Sequence, residues 1–303
     1  MFGLIVPTVT PFLEGKLDPA GVERLADYYR RRAVRYLFPT GTTGEFPLLS
    51  HQERLELLRL FRRSAPDLEL IAHVGSASLE EAVALSADAA HLGVRYAAAV
   101  TPYYFAYDQQ ALLDYYRALC ATQPQMSFFA YTIPQRAGNT LSVDTVARLR
   151  EIPNLIGIKD STGDLGRLLE LVRLDALSVV AGADDHALPF LRAGGQGFVS
   201  GPGAVVPELF QALEAAHAAG DAAGAEQAFA LIRRFGPLIG GGGRIDLLRE
   251  GLRWRGVDTG ESRAPLPRLS AAERARFHQD MNDFAQQVRA AGIDFPAPHA
   301  AYA

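Results

Sequence analysis

One lysine in this chain lies where an amine can do covalent chemistry. The apolar segment "LIGIK" (155–159) ends at Lys159, and Lys16 is the only other lysine beside 28 arginines. An amine at the end of an apolar strand is desolvated, which lowers its pKa and favours the neutral form. A neutral amine can attack a ketone carbonyl and form a Schiff base, the basis of class I aldolase chemistry. Arginine cannot do this, because its guanidinium group stays charged.

Further polar side chains follow other apolar segments. The turn "TGTTGE" (40–45) offers hydroxyl and backbone N–H groups that can hold a small carboxylate. "TPYYF" (101–105) follows a second segment, Tyr131 ends a third, and Arg136 comes shortly after Tyr131. A tyrosine beside the lysine can move protons between carbonyl oxygen, imine and incoming aldehyde. Taken singly, the turn also suits a phosphate, and the tyrosines also suit a core or an interface.

The elements that must position these groups alternate along the chain. Short apolar segments, typical of parallel strands buried on both faces, are separated by segments with helical spacing. The predicted strands are residues 3–9, 36–40, 68–74, 96–101, 127–131, 155–159, 178–182 and 197–201. A repeat of roughly 30 residues predicts an α/β fold of the (β/α)8 TIM-barrel type, and a doubly wound open sheet is the alternative. In such a barrel the polar groups at the strand ends converge on one mouth.

The predicted domain organisation follows from the same count. Eight units are complete at about residue 220, so residues 1–220 are predicted to form the barrel. Residues 221–303 show only helical patterns, which predicts a C-terminal helical extension, and residues 296–303 are predicted to be disordered. Ser50, Ser78 and Ser270 each precede a glutamate by three residues and are predicted to cap helices. Asp18 before a proline is a further predicted helix start.

Composition narrows the class of protein. The net charge of −4 and the absence of a basic block speak against nucleic acid or an anionic membrane as partner. One cysteine, Cys120, excludes an intrachain disulfide framework and favours the cytoplasm. The apolar start "MFGLIVPTVTPF" lacks a basic region and is predicted to be a strand rather than a signal peptide.

No metal site is expected. In "GADDHAL" (182–188), Asp184 and Asp185 are predicted to be the N-cap and first-turn acids of the next helix. His186 and His73 are predicted to be hydrogen-bonded structural or rim side chains rather than ligands.

Four motifs in this order resemble the dihydrodipicolinate synthase / N-acetylneuraminate lyase family: "GTTGE" (41–45), "TPYY" (101–104), "YTIPQRAG" (131–138) and "GIKDSTGD" (157–164). The resemblance runs through almost the whole chain, including "VDTGESRAPLPRLS" (257–270). It implies a pyruvate-dependent Schiff-base lyase or synthase on a (β/α)8 barrel with a C-terminal helical extension. Such enzymes use no cofactor beyond the covalent imine and are commonly dimers or tetramers.

The resemblance also implies a role for each motif residue. Lys159 is similar to the Schiff-base lysine, and Tyr131 to the proton-relay tyrosine. Thr42 resembles the hydroxyl that passes protons to Tyr131, and Thr43 resembles the binder of the pyruvate carboxylate. Tyr104 is similar to the tyrosine that one subunit lends to its neighbour's site, which would make a homo-oligomer part of the active site.

The remaining expected substrate contacts are Arg136, Gly41 and Val199. In the synthases, an arginine at the place of Arg136 binds the carboxylate of the second substrate, aspartate semialdehyde, and planar bidentate pairing suits that task. Thr132 and Ala137 replace the Asn and Thr that the synthase motif usually has. The substrate pocket therefore differs from that of a typical synthase, while the Schiff-base residues are all present.

The predicted function is a class I lyase or synthase that condenses pyruvate with a small aldehyde such as aspartate semialdehyde. Within the same chemistry, the alternatives are retro-aldol cleavage of a 2-keto-3-deoxy sugar acid or of 4-hydroxy-2-oxoglutarate, and dehydration of a related keto acid. From another class, a catalytically silent barrel that binds a keto acid is the alternative, and the Tyr131–Lys159 pair argues against it.

Overall fold

The computed structural model describes residues 2–295, so the predicted disorder of residues 296–303 lies outside the described part. Its strands are β1 (Gly3–Pro7), β2 (Phe12–Leu13), β3 (Lys16–Leu17), β4 (Tyr36–Phe38), β5 (Glu69–His73), β6 (Tyr96–Val100), β7 (Ser127–Thr132), β8 (Leu155–Asp160), β9 (Ser178–Ala181) and β10 (Gly197–Val199). Eight of them form a closed barrel in the order β1-β10-β9-β8-β7-β6-β5-β4. The predicted (β/α)8 TIM barrel is confirmed.

Helices follow the barrel strands in turn. They are α1 (Pro19–Arg31), α2 (His51–Ser64), α3 (Leu79–His91), α4 (Gln109–Ala121), α5 (Pro134–Ala137), α6 (Val143–Leu149), α7 (Leu165–Leu174), α8 (Ala187–Arg192), α9 (Gly201–Val205), α10 (Pro207–Ala218), α11 (Ala222–Leu238), α12 (Ile245–Trp254) and α13 (Ala271–Ala290). The last three fall in the predicted extension, whose boundary near residue 220 stays a prediction. Within residues 2–295, no helix is both long enough and apolar enough to cross a bilayer.

The chain divides into two compact units, and the first comprises the residues up to Gly3 together with Glu69–Val199. It holds the strands β5 to β10, of which β5 to β8 pair in sequence and in parallel. Large side chains such as Phe128, Phe190 and Phe198 are fully buried in it. Because these strands are buried on both faces, they consist mainly of apolar residues without a two-residue alternation.

The second unit comprises Leu4–Leu68 and the chain from Ser200 onward. In it, β1 pairs in parallel with β4, and β2 with β3 form a short antiparallel hairpin. The C-terminal helices bury aromatic side chains against one another: the rings of Phe235 and Phe284 lie 5.1 Å apart, and Trp254 stacks on Phe295. Trp254 is fully buried, so these helices have a core of their own.

Most predicted helix starts are present. Ser50 and Ser270 form capping boxes with Glu53 and Glu273, and the Ser78 hydroxyl accepts a hydrogen bond from a backbone N–H. At the start of α1, however, the Asp18 side chain accepts no capping bond and pairs with Arg24 instead. Pro19 at the first helical position removes one of the N–H groups that a cap would satisfy.

One carboxyl group of the second unit is partly buried, and its hydrogen bonds do not fully offset the loss of hydration. Glu214 lies on α10, and its Oε1 is screened from solvent and accepts no hydrogen bond. Burial raises the pKa of Glu214 to about 7, and a hydrogen bond from the Leu4 backbone N–H offsets only part of this effect. The folded protein therefore holds a proton at Glu214 under conditions in which the unfolded chain has released it.

We expect the free energy of unfolding to fall by up to about 3 kcal/mol as the pH rises from about 4.5 to about 7, because only the folded state keeps this proton. Glu214→Gln should remove that part of the pH dependence and raise stability at pH 8. Urea unfolding at pH 5 and pH 8 measures the effect, and Glu226→Gln, at an exposed carboxylate on α11, is the control. Equal pH dependence in both variants would contradict the assignment.

Candidate active site

Two of the predicted site residues lie side by side on neighbouring strands. Tyr131 on β7 is directly opposite Lys159 on β8 in the parallel register. Both side chains are buried, with 1% of Tyr131 and 7% of Lys159 exposed. The Lys159 Nζ lies 3.9 Å from the centroid of the Tyr131 ring. An amine and a tyrosine ring are therefore in contact near the carboxyl ends of two barrel strands, where active sites of this fold form.

Burial changes the acid–base behaviour of the lysine. Desolvation lowers the pKa of Lys159, while Tyr131 and the carboxylate of Asp184 act in the opposite direction. Desolvation is the larger effect, because the ammonium form loses its hydration inside the barrel. A larger fraction of the amine is consequently neutral at a given pH than for an exposed lysine, as a nucleophilic amine requires.

Tyr131 is held by a second aromatic neighbour. The ring of His73, at the end of β5, packs edge-to-face on Tyr131 with 6.2 Å between the ring centroids. His73 is buried, and its Nε2 accepts a hydrogen bond from the Val100 backbone N–H at 3.4 Å. His73 is thus a hydrogen-bonded side chain, as predicted, and it restricts the position of the Tyr131 ring.

The segment Asp184–His186, whose side chains are of the types that bind metals, forms a short helix. Asp184 and Asp185 lie in the first turn of a short 3-10 helix, Asp184–His186, whose N-cap is Ala183. The predicted N-cap role of an aspartate is therefore wrong by one residue, because the chain turns into the helix earlier than the sequence suggested. His186 is hydrogen-bonded to the Gly163 carbonyl at 3.0 Å. Within residues 2–295, no three His, Cys, Asp or Glu side chains are grouped as metal ligands.

Asp160, which sequence reasoning missed, fixes the end of β8 directly after Lys159. Its carboxylate is buried and pairs with Arg167 at 2.8 Å. The same carboxylate accepts hydrogen bonds from the backbone N–H and the hydroxyl of Thr162. The spacing of Asp160 and Thr162 in "KDSTGD" could have indicated these hydrogen bonds from the sequence. Three donor groups thereby hold the carboxylate next to the lysine, and Arg167 is itself anchored by its bond to the Leu141 carbonyl.

The loops after β6 and β7 carry two further predicted residues. Arg136 lies on the exposed short helix α5, which ends at Gly138 with a left-handed φ of 74°. Tyr104 is 88% exposed and has a φ of 82°, which is rare for a residue other than glycine. Its ring packs edge-to-face on that of Phe105, which is also exposed. Val199, at the end of β10, is buried in the same unit.

The remaining predicted residues share one tight turn of the second unit. Gly41 and Thr43 are buried and Thr42 is half-buried. A side chain at position 41 would meet the Phe38 ring at 2.8 Å, so the turn requires glycine there. Glu45 ends the turn in a left-handed conformation with a φ of 59°. Backbone groups and hydroxyls of such a turn are suited to binding an anion.

A buried ion pair, also missed from sequence, holds this turn. Glu45 pairs with Arg249 of α12, and both side chains are almost wholly screened from solvent. Arg249 also donates to the carbonyls of Thr10 and Thr259, and Glu45 accepts from the Arg263 backbone N–H. The hydrogen-bonding capacity of the pair is therefore well used, which is the condition under which a buried pair is tolerated.

The chain is similar to known proteins along most of its length. A family model described as "Dihydrodipicolinate synthetase family" matches residues 1–284. A 4-hydroxy-tetrahydrodipicolinate synthase from Corynebacterium urealyticum is 34% identical over 286 residues, covering 93% of this chain and 95% of that protein. The structure of such a synthase from Methylacidiphilum fumariolicum superposes with a TM-score of 0.90 at 28% identity, covering 96% and 98%. A dihydrodipicolinate synthase from Acinetobacter baumannii, complexed with pyruvate, has a TM-score of 0.87 at 30% identity, covering 97% and 99%.

We expect Arg249→Met to destabilise the protein by about 3–5 kcal/mol, because it leaves Glu45 buried without its counter-ion. The double variant Glu45→Gln/Arg249→Met should recover part of that loss, since no unpaired charge remains. Urea unfolding measures both. Arg30→Met, which removes an exposed pair with Asp67, is the matched control and should cost less than about 1 kcal/mol. A loss in Arg249→Met no larger than in this control would show that the pair does not stabilise the turn.

Proposed function

Because the chain belongs to the dihydrodipicolinate synthetase family, we propose that it is a class I, pyruvate-dependent lyase or synthase. In its forward reaction it condenses pyruvate with a small aldehyde such as aspartate semialdehyde. The observation that carries the proposal is the buried amine of Lys159, 3.9 Å from the Tyr131 ring, at the end of a barrel strand. The synthase from Acinetobacter baumannii complexed with pyruvate supports pyruvate as the first substrate.

In the first step the neutral Nζ of Lys159 attacks the ketone carbon of pyruvate. A C–N bond forms, the carbonyl oxygen takes up a proton, and loss of water then leaves a protonated imine on Lys159. We assign the supply and removal of these protons to Tyr131, and the contact of its ring with the amine supports this. The protonated imine on Lys159 withdraws electrons from the pyruvate unit, so this chemistry uses no separate cofactor.

In the second step the imine loses a proton from C3 of the pyruvate unit and becomes an enamine. The enamine carbon attacks the aldehyde carbon, a C–C bond forms, and the aldehyde oxygen takes up a proton. We assign the transfer of these protons to Tyr131, with Thr42 and Tyr104 as its relay partners, as the family resemblance implies. Hydrolysis or an intramolecular amine attack then releases the product from Lys159.

The remaining assignments concern binding. Thr43 and Gly41 are assigned to the pyruvate carboxylate, because a buried Gly-Thr-Thr turn offers hydroxyl and N–H donors without a further buried charge. Val199 is assigned to the apolar wall of the site. Arg136 is assigned to a distal carboxylate on the aldehyde substrate, which the planar guanidinium group can bind through two parallel hydrogen bonds.

We further propose a cytoplasmic homo-oligomer. Tyr104 and Phe105 form an exposed aromatic pair on a loop of strained backbone, and an interface with a second copy would cover it. A tight dimer in which each subunit receives Tyr104 from its neighbour is the minimal assembly, and a tetramer would join two such dimers.

Borohydride reduction in the presence of pyruvate should add a stable adduct at Lys159, because reduction converts the imine into a secondary amine. Mass spectrometry of the digested protein locates the adduct. Lys16→Arg is the matched control and should leave labelling unchanged, whereas Lys159→Arg should abolish it. An unlabelled wild-type protein, or labelling that survives in Lys159→Arg, would contradict the Schiff-base mechanism.

The rate of adduct formation should also rise with pH and reach half of its maximum below pH 10.5, the ordinary lysine pKa, because burial lowers the pKa of Lys159. Initial rates of trapping between pH 6 and pH 10 measure this. A rate that still follows an unshifted lysine would show that Lys159 is solvated when pyruvate binds.

Arg136→Ala should lower kcat/KM for aspartate semialdehyde by about 100-fold, since a charge-assisted bidentate contact contributes roughly 1.5–3 kcal/mol. Cleavage of 2-keto-3-deoxy sugar acids, which have no carboxylate at that end, should change little. Arg148→Ala, at an exposed arginine on α6, is the control. Higher wild-type activity on sugar acids, with equal effects of Arg136→Ala on both substrates, would favour the retro-aldol function instead.

A further inference from the structure

The loop between β6 and α4 carries the exposed Tyr104, and one buried side chain from another loop holds it. We propose that Asn139 is a positioning residue that fixes this loop, so that Tyr104 is presented in one conformation. The inference rests on the proposed function where it concerns the part of Tyr104 in the reaction. Its structural part is independent of that function, because it follows from hydrogen bonds within one unit of the chain.

The carboxamide of Asn139 makes three hydrogen bonds to the loop. Its Nδ2 donates to the carbonyl of Pro102 at 2.9 Å and to that of Phe105 at 2.7 Å. Its Oδ1 accepts from the backbone N–H of Tyr107 at 3.0 Å. Both N–H groups and the oxygen are engaged, and Asn139 is 5% exposed. Asn139 thus contacts the backbone on both sides of Tyr104.

The loop needs contacts from outside because the two side chains at its tip, at positions 104 and 105, anchor it poorly. Tyr104 and Phe105 are 88% and 65% exposed, so they contribute little burial to hold the loop in place. The φ of 82° at Tyr104 costs free energy for a residue with a Cβ and persists only when its surroundings impose it. The three hydrogen bonds between Asn139 and the flanking backbone are contacts that help to impose it.

The position of Asn139 also links two predicted substrate loops. It follows Gly138, the residue that ends the short helix carrying Arg136. The hydroxyl of Thr101 donates back to the Asn139 carbonyl at 3.4 Å. One residue therefore joins the loop of Arg136 to the loop of Tyr104, and its removal should disturb the relative placement of these two groups. Small misplacements of this kind lower the rate of an oriented reaction strongly.

Hydrogen exchange tests the structural part. Asn139→Ala should raise the exchange rate of the amides at 103–107 by about tenfold or more, most of all at the Tyr107 N–H, whose acceptor is the Asn139 Oδ1, because the loop loses three hydrogen bonds. Asn154→Ala is the matched control: its Nδ2 lies within 3.1 Å of the carbonyls of Cys120, Gln123 and Met126, in the segment that precedes β7. It should leave the exchange of 103–107 unchanged. Unchanged exchange in Asn139→Ala would overturn the inference.

A double-mutant cycle tests the catalytic consequence. Asn139→Ala should lower kcat by roughly 10- to 100-fold with a smaller change in KM for pyruvate. Tyr104→Phe should cost much less in this background than in the wild type, because Tyr104 is already misplaced. In the Asn154→Ala background it should cost the full amount. Equal costs of Tyr104→Phe in all three backgrounds would overturn the positioning role.

If Asn139→Ala does not fold, Asn139→Asp takes its place in these experiments. It keeps the acceptor for the Tyr107 N–H but turns the Nδ2 donor toward Pro102 and Phe105 into an acceptor, so the same loosening of the loop is expected. The trapping of pyruvate on Lys159 separates the two proposals. An unlabelled wild type would contradict the proposed function, while the exchange of 103–107 would still decide on Asn139.

Discussion

The structure depends on keeping an amine out of water. Lys159 is buried at the end of β8, and its Nζ lies 3.9 Å from the centroid of the Tyr131 ring. A directly paired carboxylate would stabilise the ammonium and remove the nucleophile. The carboxylate next in sequence, Asp160, is instead occupied by Arg167 and Thr162. A charge pair, Asp160 with Arg167, therefore begins at the residue that directly follows the buried amine.

Arginine performs the structural tasks throughout the described chain, and this explains the unusual composition. Arg249 joins a glutamate to the carbonyls of Thr10 and Thr259, and Arg263 joins a glutamate to two backbone carbonyls. A planar group with five donors can make such sets of contacts, whereas a single ammonium group cannot. Beside 28 arginines the sequence has two lysines, and of these Lys159 is buried at the end of a barrel strand.

The sequence predicted the strands, the barrel and the Tyr131–Lys159 pair because these depend on local patterns and on the regular spacing of βα units. It missed the contacts that fix the loops. Glu45 and Arg249 are 204 residues apart, and Asn139 reaches residues more than 30 positions earlier. No local pattern marks which polar residues will meet across such separations. The misplaced cap at Asp184 has a more local cause, because a 3-10 turn precedes the helix there.

The two lysines also lie in very different surroundings. Lys16 is exposed on the β2–β3 hairpin, whereas Lys159 is enclosed in the barrel. A reagent that acylates amines in neutral water meets only one accessible lysine side chain per chain. Coupling through Lys16 would therefore attach a dye or a solid support at a single defined side chain.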